Sequence, residues 1–143
     1  MHNQRMDLIL ESKVESADLA ESLVNKFSEL QYTERQHEEI KLAVREAIAN
    51  AVLHGNQFDP GKRIYLTAVL QAHGIIITIR DEGDGCEIDL VPDPLAEDNL
   101  LRESGRGMLL IRTCMDEALW QKAASGGMEL MMTKYFSKTS GNT

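Results

Sequence analysis

Glu46, Asn50 and His54 stand four residues apart in EAIANAVLHGN, residues 46–56. On a helix at 100° per residue, with Glu46 as zero, Asn50 falls at about 40° and His54 at about 80°. Ile40, Val44, Ala47, Ile48 and Ala51 gather at about 100–200°, the side that would pack on a sheet. Ala43, Ala49 and Leu53 flank the polar ridge, where a solvated helix normally carries Lys, Glu or Arg. Asn is a poor helix former, and its amide in a partly dry setting must be hydrogen-bonded. A bound ligand can do that. So can water on an alanine-rich solvent face, and the three residues alone do not choose.

Two glycine loops offer more. DEGDG, residues 81–85, follows an apolar run, and its glycines let backbone approach a flat ligand closely. Ionised Asp81 only accepts hydrogen bonds, which suits an exocyclic amine such as adenine N6. SGRGMLLI, residues 104–111, places a second glycine pair where a helix is expected to open. Free N–H groups and the helix dipole favour phosphate there, and Arg106 adds a charge or points into water. Each loop alone is a weak signal, since turns with acids and glycines before helices are common. GNQFDPGKR, residues 55–63, imitates a phosphate loop. Its spacing is one residue too long, Arg63 replaces the Ser or Thr, and the order is helix to strand, so it is read as a turn.

The elements that must hold these residues are legible from period and caps. MDLILESKV (6–14) predicts an opening strand, and Ser16 a cap for a helix with the stripe Leu19, Leu23, Val24, Phe27 and Leu30. Thr33 and Gln36 form a capping box for a second helix that runs to His54, with Gly55 just past its end. RIYLTAVL (63–70) and IIITIRD (75–81) read as a hairpin through QAHG, and EALWQKA (117–123) with MELMMTKYF (128–136) as another through SGG. Residues 81–104 lose any period, which in a small domain marks a functional loop or lid. The order β-α-α-β-β-loop-α-β-β implies an α+β, two-layer sandwich: a mostly antiparallel sheet with helices on one face.

A chain of 143 residues suits a single domain, 1–143, with an ordered core of about 6–136. A net charge of −8 argues against nucleic acid as the main partner. MHNQRMDLILES does not read as a signal peptide and the longest apolar run, GIIITI, is far short of a bilayer span, so a cytoplasmic protein with Cys86 and Cys114 as free thiols is expected.

In this order, E-x-x-x-N-A-x-x-H-G on a helix, D-x-G-x-G after a strand, and S-G-R-G-M-x-L-I before a helix resemble the GHKL ATPase superfamily. Within it, the chain is most similar to the bacterial anti-sigma factor serine/threonine kinases, over about residues 7–136. The resemblance implies the Bergerat, histidine-kinase-like ATPase fold, with ATP and Mg²⁺ as cofactors. It implies Glu46 as general base, Asn50 as the Mg²⁺ ligand bridging to the phosphates, and Asp81 as the adenine-binding carboxylate. Gly83 and Gly85 would lie beneath the nucleotide; Gly105, Arg106, Gly107 and Met108 would line the phosphates. His54 would bond the loop or the nucleotide, or only shape the turn into Gly55.

The function so implied is an ATP-dependent protein kinase that binds a sigma factor and phosphorylates a STAS-domain antagonist on Ser or Thr. It would work in the cytoplasm, away from membranes, with homodimers common in the family. The alternative is a nucleotide-binding module that sequesters its partner without transferring phosphate; a base at Glu46 favours the kinase. A gyrase- or MutL-type fragment would need a transducer domain, and sensor histidine kinases usually carry His where Glu46 stands. Two departures stand out. The family's Gly-Thr in the last hairpin is Gly127-Met128 here, so that hydroxyl is lost. Residues 81–104 hold nine Asp or Glu against Arg102 alone, acids expected to face solvent or a basic partner.

Overall fold

The computed structural model describes residues 4–29, 31–83 and 103–136. Five strands form one sheet: β1 (Gln4–Glu11), β2 (Arg63–Leu70), β3 (Gly74–Arg80), β4 (Glu117–Lys122) and β5 (Met128–Tyr135). Their spatial order is β1-β2-β3-β5-β4, and every neighbouring pair is antiparallel. Alternation assigns the faces: Ile64, Leu66, Ala68 and Leu70 of β2 point inward, while Tyr65, Thr67 and Val69 between them stay half-exposed. Ile75, Ile77, Ile79, Leu130 and Met132 extend the inward face, and helices cover it, as the expected two-layer sandwich requires.

The first helix, α1 (Glu15–Ser28), departs from its expected details. Ser16 does not cap it; Ser16 lies inside the first turn, buried, with Oγ donating to Glu11 O at 2.7 Å. The inward line is Ala17, Ala20, Val24 and Ser28, while Leu19 is 52% exposed. Small residues face inward because they let α1 lie close on its neighbours, which weighs more than burying the larger leucines. Leu30 of the expected stripe falls outside the described residues.

The second helix, α2 (Glu34–Asn50), starts at the expected capping box: Gln36 N–H donates to Thr33 Oγ1 at 3.2 Å, and Thr33 N–H to Gln36 Oε1 at 3.1 Å. Ile40, Val44, Ala47 and Ile48 are buried as the pattern requires; Ala43, expected beside the ridge, is buried too. The helical run does not stop at Asn50. It widens into one π-helical turn, Ala51–Gly55, in which Asn56 N–H donates to Ala51 O at 2.7 Å.

The third helix, α3 (Glu103–Cys114), contains the second glycine pair instead of following it. Gly105 and Gly107 are its third and fifth residues. Glycine costs a helix about 1 kcal/mol against alanine, so a packing reason must hold Gly107 there.

Candidate functional site

Glu46 and Asn50 are half-buried on α2, on one side of the helix. Gly107 of α3 comes down on them. A Cβ built on Gly107 would sit 2.7 Å from Glu46 Oε2 and 3.2 Å from Asn50 Nδ2. The first and third motifs therefore meet, and the absent side chain is what lets α3 backbone approach the acid and the amide. Neither of those side chains makes a hydrogen bond or ion pair among the described residues. His54 is exposed. The wide turn after Asn50 underwinds the helix and swings His54 off the line that a regular helix would keep.

The same turn carries the chain to Asp81, which stands just after β3. Gly55 lies so close that a Cβ there would fall 2.1 Å from Asp81 Oδ2. A Cβ on Gly83 would fall 2.1 Å from Gly55 O. A Cβ on Gly127, at φ +78°, would fall 2.3 Å from Asp81 O. Three glycines thus wrap one carboxylate in backbone. Asp81 Oδ1 accepts from Gly83 N–H and Met128 N–H, both at 3.0 Å. Asp81 N–H in turn donates to Met128 O at 3.0 Å. Burial raises the Asp81 pKa, and the two N–H donors, with Lys62 and Arg80 nearby, oppose that rise.

Single π-helical turns are rare and concentrate at functional sites. Here the turn lets one helical run serve two stations, Glu46 and Asn50 at one and Gly55 against Asp81 at the other. The sequence marks Gly55 only as the residue past a helix and Gly127 only as part of the last hairpin; neither is expected there against Asp81. Met128 lacks the hydroxyl of the family's Thr, yet it is the Met128 backbone N–H that reaches Asp81, a group present whatever the side chain. Arg106 is exposed and Met108 is 7% exposed. Gly85 lies outside the described residues. Among the described residues, no helix is long and apolar enough to cross a membrane.

A family model described as the histidine kinase-like ATPase domain matches residues 10–134. The chain is 36% identical over 137 residues to the anti-sigma F factor of Oceanobacillus iheyensis, covering 94% of each chain. It is 31% identical over 140 residues to the anti-sigma F factor of Clostridium acetobutylicum, covering 96% of this chain and 97% of that one. In fold it is similar to the crystal structure of the RsbU and RsbW domains of a Mycobacterium tuberculosis protein, with a TM-score of 0.68 at 17% identity. That likeness covers 95% of this chain and 33% of the other, about a third of its length. The five-stranded antiparallel sheet with its helical layer is therefore a known architecture, and the chain belongs to the histidine kinase-like ATPase family, on the branch that holds the anti-sigma F factors.

Proposed function

We propose that the chain is an ATP-dependent serine/threonine protein kinase and anti-sigma factor. In this reading it holds a sigma factor and phosphorylates a STAS-domain antagonist that competes for it. The observation that carries the reading is the approach of Gly107 backbone to both Glu46 and Asn50. In this reading a nucleotide's phosphates lie beside that bare stretch of helix backbone, within reach of a potential base and of an amide. The cradle also suits the metal: the Asn50 amide oxygen would hold Mg²⁺. Bound with ATP, that ion supplies charge neutralisation at the phosphate oxygens, and one amide suffices because Mg²⁺ retains several waters.

The protein's own residues do the rest. Asp81, fixed by two backbone donors, accepts a hydrogen bond from the adenine amine. Gly83 and Gly107 let backbone close on Gly55 O and on the Glu46 and Asn50 side chains around the nucleotide. Glu46 orients the antagonist's Ser or Thr hydroxyl and takes its proton as the oxygen bonds the γ-phosphorus and ADP leaves. The new dianion in a packed contact then disfavours the kinase–antagonist complex.

The test is label transfer from γ-labelled ATP, with Mg²⁺, to a STAS-domain antagonist, comparing wild type with Glu46→Gln. Loss of a general base predicts a fall of about 10²-fold or more, with ATP binding retained. Equal transfer by the variant removes Glu46 from the reaction. No transfer by either protein, with ATP still bound, favours the sequestering module.

A further inference from the structure

Asn56 closes the EAIANAVLHGN stretch, yet the chemistry above leaves it unused. It is 1% exposed. Its amide joins three separate segments: Nδ2 donates to Ser12 Oγ at 2.8 Å and to Arg63 O at 3.0 Å, while Oδ1 accepts from Glu82 N–H at 2.7 Å. Proton directions are settled by Ser12. Its single hydroxyl proton goes to Lys62 O at 2.6 Å, so Ser12 Oγ meets Asn56 as an acceptor. Arg63 O is a second acceptor, and Glu82 N–H is a donor. The position therefore needs two N–H groups and one oxygen on a single planar group, which an amide has and a carboxylate lacks.

Glu82 lies between Asp81 and Gly83. Its side chain is held as well, accepting from Arg63 N–H and from Tyr65 OH. Residue 82 is thus clamped by backbone and side chain, and Asn56 holds the backbone end from the residue just past the helical run. We infer that Asn56 is the positioning residue for Asp81. It sets the spacing between the helix that carries Glu46 and Asn50 and the carboxylate that reads the base, without touching the nucleotide itself. The inference rests on the nucleotide reading proposed above.

Calorimetric titration with ATP and with GTP, each with Mg²⁺, separates positioning from mere stability. Wild type prefers ATP, because GTP offers a carbonyl where ATP offers the amine that Asp81 accepts from. Asn56→Ser loses about tenfold in ATP affinity, the scale of one buried hydrogen bond, and its ATP-to-GTP ratio moves toward one. Ser12→Ala, a milder variant that leaves one Asn56 N–H without an acceptor, shifts the ratio the same way by less. The control is Tyr32→Phe. Tyr32 OH accepts from Ile75 N–H at 2.9 Å and donates to Lys134 O, at the opposite end of β3. That variant lowers Tm but keeps the ATP-to-GTP ratio of wild type.

Hydrogen exchange at Glu82 N–H gives a readout that needs no nucleotide: it accelerates in Ser12→Ala and stays protected in Tyr32→Phe. If wild type binds neither nucleotide, the nucleotide reading itself fails and takes this inference with it. If wild type prefers ATP and both Asn56→Ser and Ser12→Ala keep that preference, only the role of Asn56 is overturned. Unchanged Glu82 exchange in Ser12→Ala overturns it as well.

Discussion

Asp81 is a buried carboxylate, poorly placed for stability, at the position proposed to read the base. Burial raises its pKa above the ordinary carboxylate value. The folded protein therefore binds a proton more tightly than the unfolded chain, and stability falls as pH rises from the unfolded pKa, about 3.9, up through the raised folded value. Asp81→Asn keeps an oxygen to accept from Gly83 and Met128 N–H but carries no charge. It should be at least as stable as wild type to urea at pH 7, with the advantage vanishing in acid below the unfolded pKa. It should also bind ATP far more weakly. A variant destabilised at neutral pH, or one that binds ATP normally, would contradict this account of the carboxylate. Gly107 makes a parallel case. Its missing Cβ would press on Glu46 Oε2, the far end of a movable side chain, so Gly107→Ala should fold well and even gain up to about 1 kcal/mol from helix propensity. Phosphotransfer should drop, because the displaced atom belongs to the proposed base. Denaturant melts and label transfer on the same variant test both halves.

At the scale of elements, local signals were legible and tertiary compromises were not. The Thr33–Gln36 capping box and the alternation of β2 and β3 depend on neighbours in sequence, and they stand where the pattern placed them. The inward face of α1 depends on how closely that helix lies on its neighbours, so a reading that favoured the large leucines chose Leu19 wrongly. The second glycine pair reads as the opening of a helix. The structure carries the helix through both glycines because α3 must touch the ridge. The π turn had no signature at all, since AVLHG is as compatible with a regular helix as with a wide one. Between elements, Lys134 of β5 is nearly buried and donates to Glu39 of α2 at 2.8 Å and to Cys114 O at the end of α3. Glu39→Ala leaves that ammonium without its counter-ion and should cost about 2 kcal/mol, a figure moderated by the partial exposure of Glu39. Lys134→Met should cost less, because the long stem stays packed while the charge disappears. Equal losses in urea titrations would show that the pair acts only by packing.

Across the whole molecule, element order alone implied the two-layer sandwich, and the sheet and helices agree with it. The site was only half legible. Motif residues could be named because their types carry chemistry: an acid, an amide, an acceptor at a strand end, glycines. The closeness of Gly55, Gly127 and the Met128 N–H to Asp81 could not be read, because their part is to be backbone in the right place, and that is decided by how the last hairpin folds against the end of α2. Residues 84–102, which include Gly85 and most of the acidic segment, lie outside the described residues. The account stands most directly on Asn50 and the ATP that its metal would help to hold. Calorimetry should find ATP bound tightly by wild type with Mg²⁺ and much more weakly in EDTA, with Asn50→Ala equally weak in both. ATP uptake that ignores Mg²⁺ in wild type, or no uptake at all, would contradict it.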